Sequence, residues 1–116
     1  MSSMEPVEEC GDEHAAPGKS PPDAELVARA AAFLRAMAEE GRIQVLALLS
    51  REEACVSELA AALETDVSTV SHRLRVLRSE GLVRRRRAGR HVFYRLEDDH
   101  VRHLLEAALD HAAHGT

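Results

Sequence analysis

The stretch from residue 56 to residue 96 constrains the fold most, because its hydrophobic pattern changes there from a helical period to strand alternation. Residues 56–63 predict one short helix, and a second helix is predicted to begin near Ser68, after the turn 64–66. Three apolar residues share one side of this second helix: Val70, Leu74 and Leu77. Two short helices joined by a turn, the second basic and amphipathic, predict a helix-turn-helix.

A β-hairpin is predicted directly after the second helix. Gly81 is expected to stop that helix, since glycine commonly follows the last helical residues. Residues 82–87 and 91–96 then alternate in polarity around a turn with Gly89 at its centre. A hairpin in this position is a wing, so the segment as a whole predicts a winged helix-turn-helix.

Three further helices are predicted, at about residues 23–38, 42–49 and 99–113. Ser20 is expected to cap the first helix, Gly41 to separate it from the next, and Asp98 with Asp99 to cap the last. The last helix carries an apolar stripe that is expected to face the core: Val101, Leu105, Ala108, Leu109 and Ala112. The predicted fold class is therefore mainly α with a small β-hairpin.

The chain divides into two parts by composition. Residues 1–22 hold all four prolines and lack apolar periodicity, so they are predicted to form a mobile acidic arm. Residues 23–116 are predicted to form one domain for dimerisation and DNA binding. Without an apolar run of membrane length or a secretory leader, the chain is expected to be cytoplasmic and not bound to a membrane.

The distribution of charge points to nucleic acid, although the formal net charge is −5. Between residues 68 and 95 there are nine arginines and only one acidic residue, Glu80. Such a local positive field attracts a phosphate backbone. The only aromatic residues are two phenylalanines and one tyrosine, too few for a stacking platform. Double-stranded DNA is therefore predicted rather than single-stranded RNA.

Four potential metal ligands lie along the last predicted helix in the spacing Asp98-x-His100 and His111-x-x-His114. A helix rises about 1.5 Å per residue, so residues 100 and 111 stand roughly 16 Å apart along the axis. A metal–nitrogen bond is only about 2 Å long, so one copy of this helix cannot close the site. Two antiparallel copies can close it, which predicts a homodimer with two metal sites between its protomers.

The string Val70-Ser71-His72-Arg73-Leu74-Arg75-Val76-Leu77-Arg78 and the hairpin Gly89-Arg90-His91-Val92-Phe93-Tyr94 resemble the ArsR/SmtB family of metal-responsive repressors. The resemblance implies a winged helix-turn-helix dimer, joined through its N- and C-terminal helices, that leaves DNA when a metal binds. It places Asp98, His100, His111 and His114 at the sensing positions of the zinc-responsive SmtB type. His114 departs from that type, which has a carboxylate there, and is similar to zinc and cobalt sensors of the family.

The same resemblance implies a second metal site. Family members of this type place Cys-x-x-x-His in the arm and Cys-x-x-acid at the start of the helix-turn-helix. This chain has Cys10 with His14 and Cys55 with Glu58 at those spacings. The structural alternative is that Cys55 is only a small buried hydrophobic residue.

The predicted DNA contacts come from the second helix of the helix-turn-helix and from the wing. The helix offers short or forked polar groups that suit phosphates and base edges: Ser68, Thr69, Ser71, His72 and Arg75. The alternating arginines of the hairpin favour phosphate contact: Arg85, Arg87 and Arg90.

The predicted function is repression by the metal-free dimer at an inverted-repeat operator, with release when zinc binds. Zinc is the expected metal and cobalt its alternative, because three nitrogens and one oxygen suit both. An enzyme is not expected, since four protein ligands leave no open position for a reacting water. The alternative is a redox-responsive DNA-binding repressor that uses Cys10 and Cys55 as a thiol pair.

Overall fold

The computed structural model describes residues 18–115, and within them it contains five helices and one two-stranded antiparallel hairpin. The elements in chain order are α1 (Ala24–Met37), α2 (Glu40–Leu49), α3 (Val56–Leu63), α4 (Val67–Ser79), β1 (Val83–Ala88), β2 (His91–Leu96) and α5 (Asp99–His114). The prediction of a mainly α fold with a winged helix-turn-helix is confirmed: α3 and α4 form the helix-turn-helix, and β1 and β2 form the wing. Within residues 18–115, none of the helices combines the length and apolar character needed to cross a membrane.

The start of α1 corrects one expectation. Asp23 caps the helix, with its carboxylate accepting a hydrogen bond from the Leu26 amide at 3.0 Å, so the assignment of Ser20 as the cap is wrong. A residue that precedes a proline is driven towards extended backbone, so Pro21, which precedes Pro22, cannot be the first helical residue after a cap at Ser20. The helix therefore begins only after both of them. Most of the predicted arm, residues 1–17, lies outside the described residues.

The sequence suggested that Gly41 separates α1 from α2, but this expectation is wrong. It lies buried in the first turn of α2, and Glu39 caps that helix by accepting a hydrogen bond from the Arg42 amide at 3.0 Å. A Cβ atom at position 41 would lie 2.4 Å from the guanidinium carbon of Arg73 on α4. Gly41 is thus a point of close helix approach, where the missing side chain makes room for an arginine.

The core lies between α2 and α4 and is closed by α3 and the base of the wing. Ten side chains are fully buried there: Val45, Leu46, Leu49, Leu59, Val70, Leu74, Leu77, Leu82, Val83 and Leu105. Burying one such side chain stabilises the fold by about 1.5–3 kcal/mol. The helix α4 ends where predicted, because Gly81 adopts a φ of 73° and lets the Leu82 amide bond to the Leu77 carbonyl at 2.9 Å.

The wing is tied to the loop between α2 and α3 by two backbone hydrogen bonds. The Tyr94 amide donates to the Ala54 carbonyl at 2.8 Å, and the Ala54 amide donates to the Tyr94 carbonyl at 3.1 Å. Gly89 turns the hairpin with a φ of 64°. These two hydrogen bonds therefore fix the position of the wing relative to the helices.

The apolar stripe of α5 faces the core over only part of its length. Val101 and Leu105 are buried, but Ala108, Leu109 and Ala112 are exposed, which corrects the expectation for the whole stripe. The exposed part lines an open apolar groove of about 330 Å³ between α1 and α5. We call it the α1–α5 groove; its lining is Leu34, Met37, Ala38, Ile43, Leu104, Leu105, Ala108, Leu109 and Ala112. A single chain thus leaves half of this stripe without a partner.

Candidate metal and DNA-binding sites

The polar side chains predicted for DNA contact lie on the accessible surface of α4. Asp66 caps this helix and accepts hydrogen bonds from the Thr69 amide at 2.7 Å and the Ser68 hydroxyl at 3.2 Å. Hydrogen bonds from Thr69 and then Ser68 hold the pKa of the Asp66 carboxyl below its usual value. Ser68 and His72 are exposed on the side away from the core, while Thr69 and Ser71 are half-buried at its two flanks.

A cleft of about 230 Å³ separates α4 from the wing. Its lining is Ser71, Leu74, Arg75, Arg78, Arg85 and Tyr94, and we call it the α4–wing cleft. Three predicted DNA contacts therefore meet there: Ser71, Arg75 and Arg85. Arg78 joins them, although it was not among the predicted contacts. Its position three residues after Arg75 and seven after Ser71 places all three on one helix face, which the sequence already showed.

The arginines of β1 alternate between two faces of the hairpin. Arg85 pairs with Tyr94 in the sheet register and faces the α4–wing cleft, whereas Arg86 pairs with Phe93 on the opposite face. Arg87 follows the alternation and shares the face of Arg85. Arg90 is exposed at the end of the turn.

Arg86 forms an ion pair with an acidic residue of the same chain. Its guanidinium binds both carboxylate oxygens of Glu53, with Nε 3.1 Å from Oε2, and its Cζ atom lies 5.0 Å from the centre of the Phe93 ring. The hydrogen bonds from Arg86 lower the pKa of Glu53. Within residues 18–115, Arg86 is the one arginine of β1 with an acidic partner, so its charge is balanced locally.

Asp98 and His100 lie together at the N-terminus of α5. The Asp98 carboxylate caps the helix, with Oδ1 accepting a hydrogen bond from the Val101 amide at 3.2 Å, and His100 Nδ1 lies 3.6 Å from the same oxygen. The Val101 amide is the main cause of a lowered pKa at Asp98, and His100 lowers it further. The His100 side chain is 93% exposed, so this pair of potential ligands faces solvent.

His111 and His114 lie in the last turn of the same helix and are also exposed. His114 Nδ1 lies 2.9 Å from the Asp110 carbonyl oxygen and 3.6 Å from Asp110 Oδ1. Among residues 18–115 of the single chain, no group of three or more His, Cys, Asp or Glu side chains is placed to hold a metal ion. The structure therefore does not bring the two predicted pairs together within one protomer.

Cys55 and Glu58 lie at the start of α3. The Glu58 carboxylate accepts a hydrogen bond from the Cys55 amide at 2.9 Å, and the Cys55 sulfur lies 3.3 Å from the Ser57 hydroxyl. The two predicted ligands are therefore neighbours across one helical turn. Cys10 and His14, the other half of that predicted site, lie outside the described residues.

A short helix, a turn, a basic helix and a hairpin docked beside it define a winged helix-turn-helix protein of the transcription-regulator class. The similarities to known proteins specify the family. Residues 39–85 match the sequence model described as "Bacterial regulatory protein, arsR family". The chain is also 37% identical over 82 residues to a Staphylococcus aureus protein named "Cadmium resistance transcriptional regulatory protein CadC homolog", an alignment that covers 70% of this chain and 68% of that one. This chain belongs to the arsR family of bacterial regulatory proteins.

Two further similarities support this placement. A Synechocystis protein named "Transcriptional repressor SmtB homolog" is 47% identical over 81 residues, which are 70% of this chain and 61%, less than two thirds, of that relative. A solution structure of a homodimeric winged helix-turn-helix domain from Mycobacterium bovis superposes with a TM-score of 0.75 at 33% identity and covers 84% of this chain and 91% of that one. The relatives are transcriptional regulators and not enzymes, in agreement with the sequence-based expectation.

Proposed function

We propose that this chain is a metal-responsive transcriptional repressor whose metal-free homodimer binds an inverted-repeat operator. Zinc, or cobalt as its alternative, is bound at two equivalent sites between the protomers and releases the dimer from DNA. Each site takes Asp98 and His100 from one protomer and His111 and His114 from the other.

The observation that carries this proposal is the placement of the two ligand pairs at opposite ends of one exposed helix. The pairs are separated by roughly 16 Å of helix, and no single chain closes them. When two such helices run antiparallel, the N-terminal pair of one meets the C-terminal pair of the other. Three imidazoles and one carboxylate are a suitable donor set for four-coordinate zinc or cobalt.

The residues themselves fit a cation. The lowered pKa of Asp98 keeps its carboxylate ionised, and the helix cap occupies Oδ1 of its two oxygens. The bound metal would supply a fixed link between two helices. What the chain supplies is an exposed, pre-formed pair of donors at each end of α5.

The α1–α5 groove supports the dimer. It is apolar and open, and it exposes 45% of Leu109, 47% of Leu34 and 39% of Leu104. Neighbouring apolar side chains that remain this exposed mark an interaction surface. The same two helices of a second copy would cover it, and this would place the α5 helices side by side.

A path from α5 to the DNA-reading helix is visible in the contacts. Arg102 on α5 donates a hydrogen bond to the Ser50 carbonyl at the C-terminus of α2. In turn, α2 packs directly against α4, with Arg73 over Gly41. A shift of α5 relative to its partner would therefore change the spacing of the two α4 helices. By linkage, DNA must weaken metal binding by the same factor as metal weakens DNA binding.

The first experiment measures operator binding by fluorescence anisotropy with and without zinc. The operator is a duplex selected from a randomised library by binding to the metal-free full-length chain. We expect zinc to weaken binding by about 100-fold, equivalent to about 2.7 kcal/mol. Equal affinity with and without zinc would exclude a zinc sensor. Sensitivity to peroxide instead of zinc would favour the redox alternative with Cys10 and Cys55.

A second experiment tests whether the sites lie between protomers. The His100→Ala and His111→Ala homodimers should each lose the zinc response while keeping operator binding. A mixed dimer of the two variants regains one intact site, because one chain supplies Asp98 with His100 and the other supplies His111 with His114. It should therefore recover zinc binding at half the wild-type stoichiometry.

A matched control is available on the same helix. His103 is exposed on α5 but does not belong to either pair, so His103→Ala should keep the full zinc response. A mixed dimer that binds no more zinc than its two parents would exclude ligand sharing between protomers.

A further inference from the structure

We propose that the α4–wing cleft is a phosphate site that holds one phosphodiester group of the bound DNA strand between the recognition helix and the wing. The proposal rests on the DNA-binding part of the proposed function. It assigns a common task to Arg75, Arg78 and Arg85, and does not require the metal sites.

The chemistry of the lining suits a phosphate. Three arginines line the cleft from two different elements, two from α4 and one from β1. The Ser71 and Tyr94 side chains add hydroxyl groups, and among the described residues none of those that line the cleft is acidic. Guanidinium groups bind phosphate oxygens through paired, charge-assisted hydrogen bonds.

A second polar cleft beside α4 differs from the α4–wing cleft because its lining includes an acidic residue. It lies between α4 and the start of α2, and its lining includes Glu39 together with Arg42 and Arg73. Arg42 donates to the Ala36 carbonyl at 2.5 Å, and Arg73 is packed over Gly41. Arg42 and Arg73 are thus engaged within the fold. The arginines of the α4–wing cleft have no ion-pair partner among residues 18–115.

The position of the cleft identifies the phosphate as one from a DNA backbone. In the proposed complex α4 occupies a major groove, as recognition helices do, and the wing beside it would reach the adjacent groove. One sugar-phosphate strand separates two adjacent grooves, so that strand has to pass between α4 and the wing. The cleft lies at that boundary and would fix the register of the protein on DNA without reading bases.

Arg86 provides a control within the same strand. It is the direct neighbour of Arg85 and carries the same charge, but it lies on the opposite face, where it is paired with Glu53 and stacked on Phe93. An effect of general positive charge would not distinguish the two arginines. Of these two arginines, only Arg85 should affect the binding of a phosphate held in the cleft.

The test compares Arg85→Gln with Arg86→Gln in the metal-free full-length protein on the selected operator. Each phosphate contact contributes about 0.9 to the slope of log affinity against log salt concentration. Arg85→Gln should therefore lower the slope by about 1.8 per dimer, which has two clefts. Arg86→Gln should leave the slope unchanged. Circular dichroism checks that both variants keep the helical content of the wild type.

Methylphosphonate substitution then locates the phosphate. Single phosphates of the operator are made neutral one by one, and binding is measured for the wild type and both variants. At one position per half-site we expect about a tenfold loss for the wild type and for Arg86→Gln, but less than threefold for Arg85→Gln. Equal slopes for the two variants, or no position at which Arg85→Gln loses its sensitivity, would overturn the cleft proposal alone. If the wild type binds no DNA in any metal state, the proposed function fails together with it.

Discussion

The helices α4 and α5 are both amphipathic, yet they differ in how much of their apolar face is buried within one chain. All three apolar residues on the inner side of α4 are buried: Val70, Leu74 and Leu77. On α5 only Val101 and Leu105 are buried, and the apolar surface continues into the open α1–α5 groove. The half of the molecule that would read DNA is therefore complete within one chain. The half that would sense a metal is completed only by a second copy.

The polar groups of the two regions differ in the same way as the apolar faces. At the start of α4 the Asp66 carboxylate holds the Ser68 hydroxyl, and in the adjoining wing Glu53 holds Arg86, so both contacts are made within one chain. On α5, the two proposed ligand pairs, Asp98 with His100 and His111 with His114, lie apart and face solvent. Under the proposed function, dimerisation and sensing would share one surface and DNA contact would use another. The following predictions test this division in order of decreasing effect.

The largest effect is expected from Leu74→Ala on α4. Truncating a fully buried leucine leaves a cavity, and we expect a loss of about 2–5 kcal/mol in the free energy of unfolding. Urea denaturation followed by circular dichroism measures it at several protein concentrations. The loss should persist at every concentration, because the leucine is buried within one chain. A loss that disappears at high protein concentration would contradict the comparison.

The next effect concerns Leu109→Asp in the α1–α5 groove. A carboxylate buried in an apolar interface without a partner should weaken the dimer by at least about 100-fold, or about 2.7 kcal/mol. Sedimentation velocity as a function of concentration measures this change. Val67 on α4 is 50% exposed outside the groove, so Val67→Asp is the matched control and should leave the dimer intact. Dimer loss in both variants, or in neither, would remove the groove from the interface.

Arg102→Met tests the link between α5 and α2. The variant keeps most of the aliphatic part of the side chain but removes the hydrogen bond to the Ser50 carbonyl, at an expected cost of about 1 kcal/mol in stability. The zinc response of operator binding should also fall, because α5 would be less firmly coupled to α2. Arg51→Met, at an exposed neighbouring arginine, is the control. A full zinc response in Arg102→Met would show that the signal takes another route.

The smallest effect is expected from Asp66→Asn at the start of α4. The pKa of Asp66 is lowered in the folded chain, so its charge stabilises the fold above its unfolded pKa. That stabilisation is lost as the pH falls through the lowered folded pKa. The drop in unfolding free energy between pH 6 and pH 2 should therefore be smaller in Asp66→Asn than in the wild type. Identical drops in the two proteins would contradict the cap's ionic contribution.

Most element boundaries were predictable because each is specified by residues close in sequence. The bounds predicted for α3 and both strands of the wing fall within one residue of those observed. The cap of α1 was wrong because two residues with good capping side chains, Ser20 and Asp23, lie near the same helix start. Only the local backbone, restricted by two prolines, decides between them. The prediction for Gly41 was wrong because the need for a glycine there comes from Arg73, which is more than thirty residues away in sequence.

The candidate functional residues also fall into two groups, those predictable from local spacing and those that depend on tertiary contacts. Helical spacing was enough to place the ligand pairs at the two ends of α5, and strand alternation separates Arg85 from Arg86. The sequence did not show that Arg86 is held by Glu53, or that Arg78 meets Arg85 across a cleft. Both depend on how the wing docks against the helices. The proposed ligation and DNA contacts themselves remain predictions for the experiments above.

By itself, the sequence determined the order of elements, the amphipathic faces and the spacing of the histidines, because these follow from the helix and strand periods of neighbouring residues. Only the tertiary structure decided which apolar faces are covered within one chain and which arginine of the wing is paired with an acidic residue. Burial and ion pairing depend on contacts between residues far apart in sequence, as in the wing arginine held by Glu53 and the uncovered end of α5. For that reason the two proposed ligand pairs could be placed on their helix from the sequence, but the open groove beside them could not.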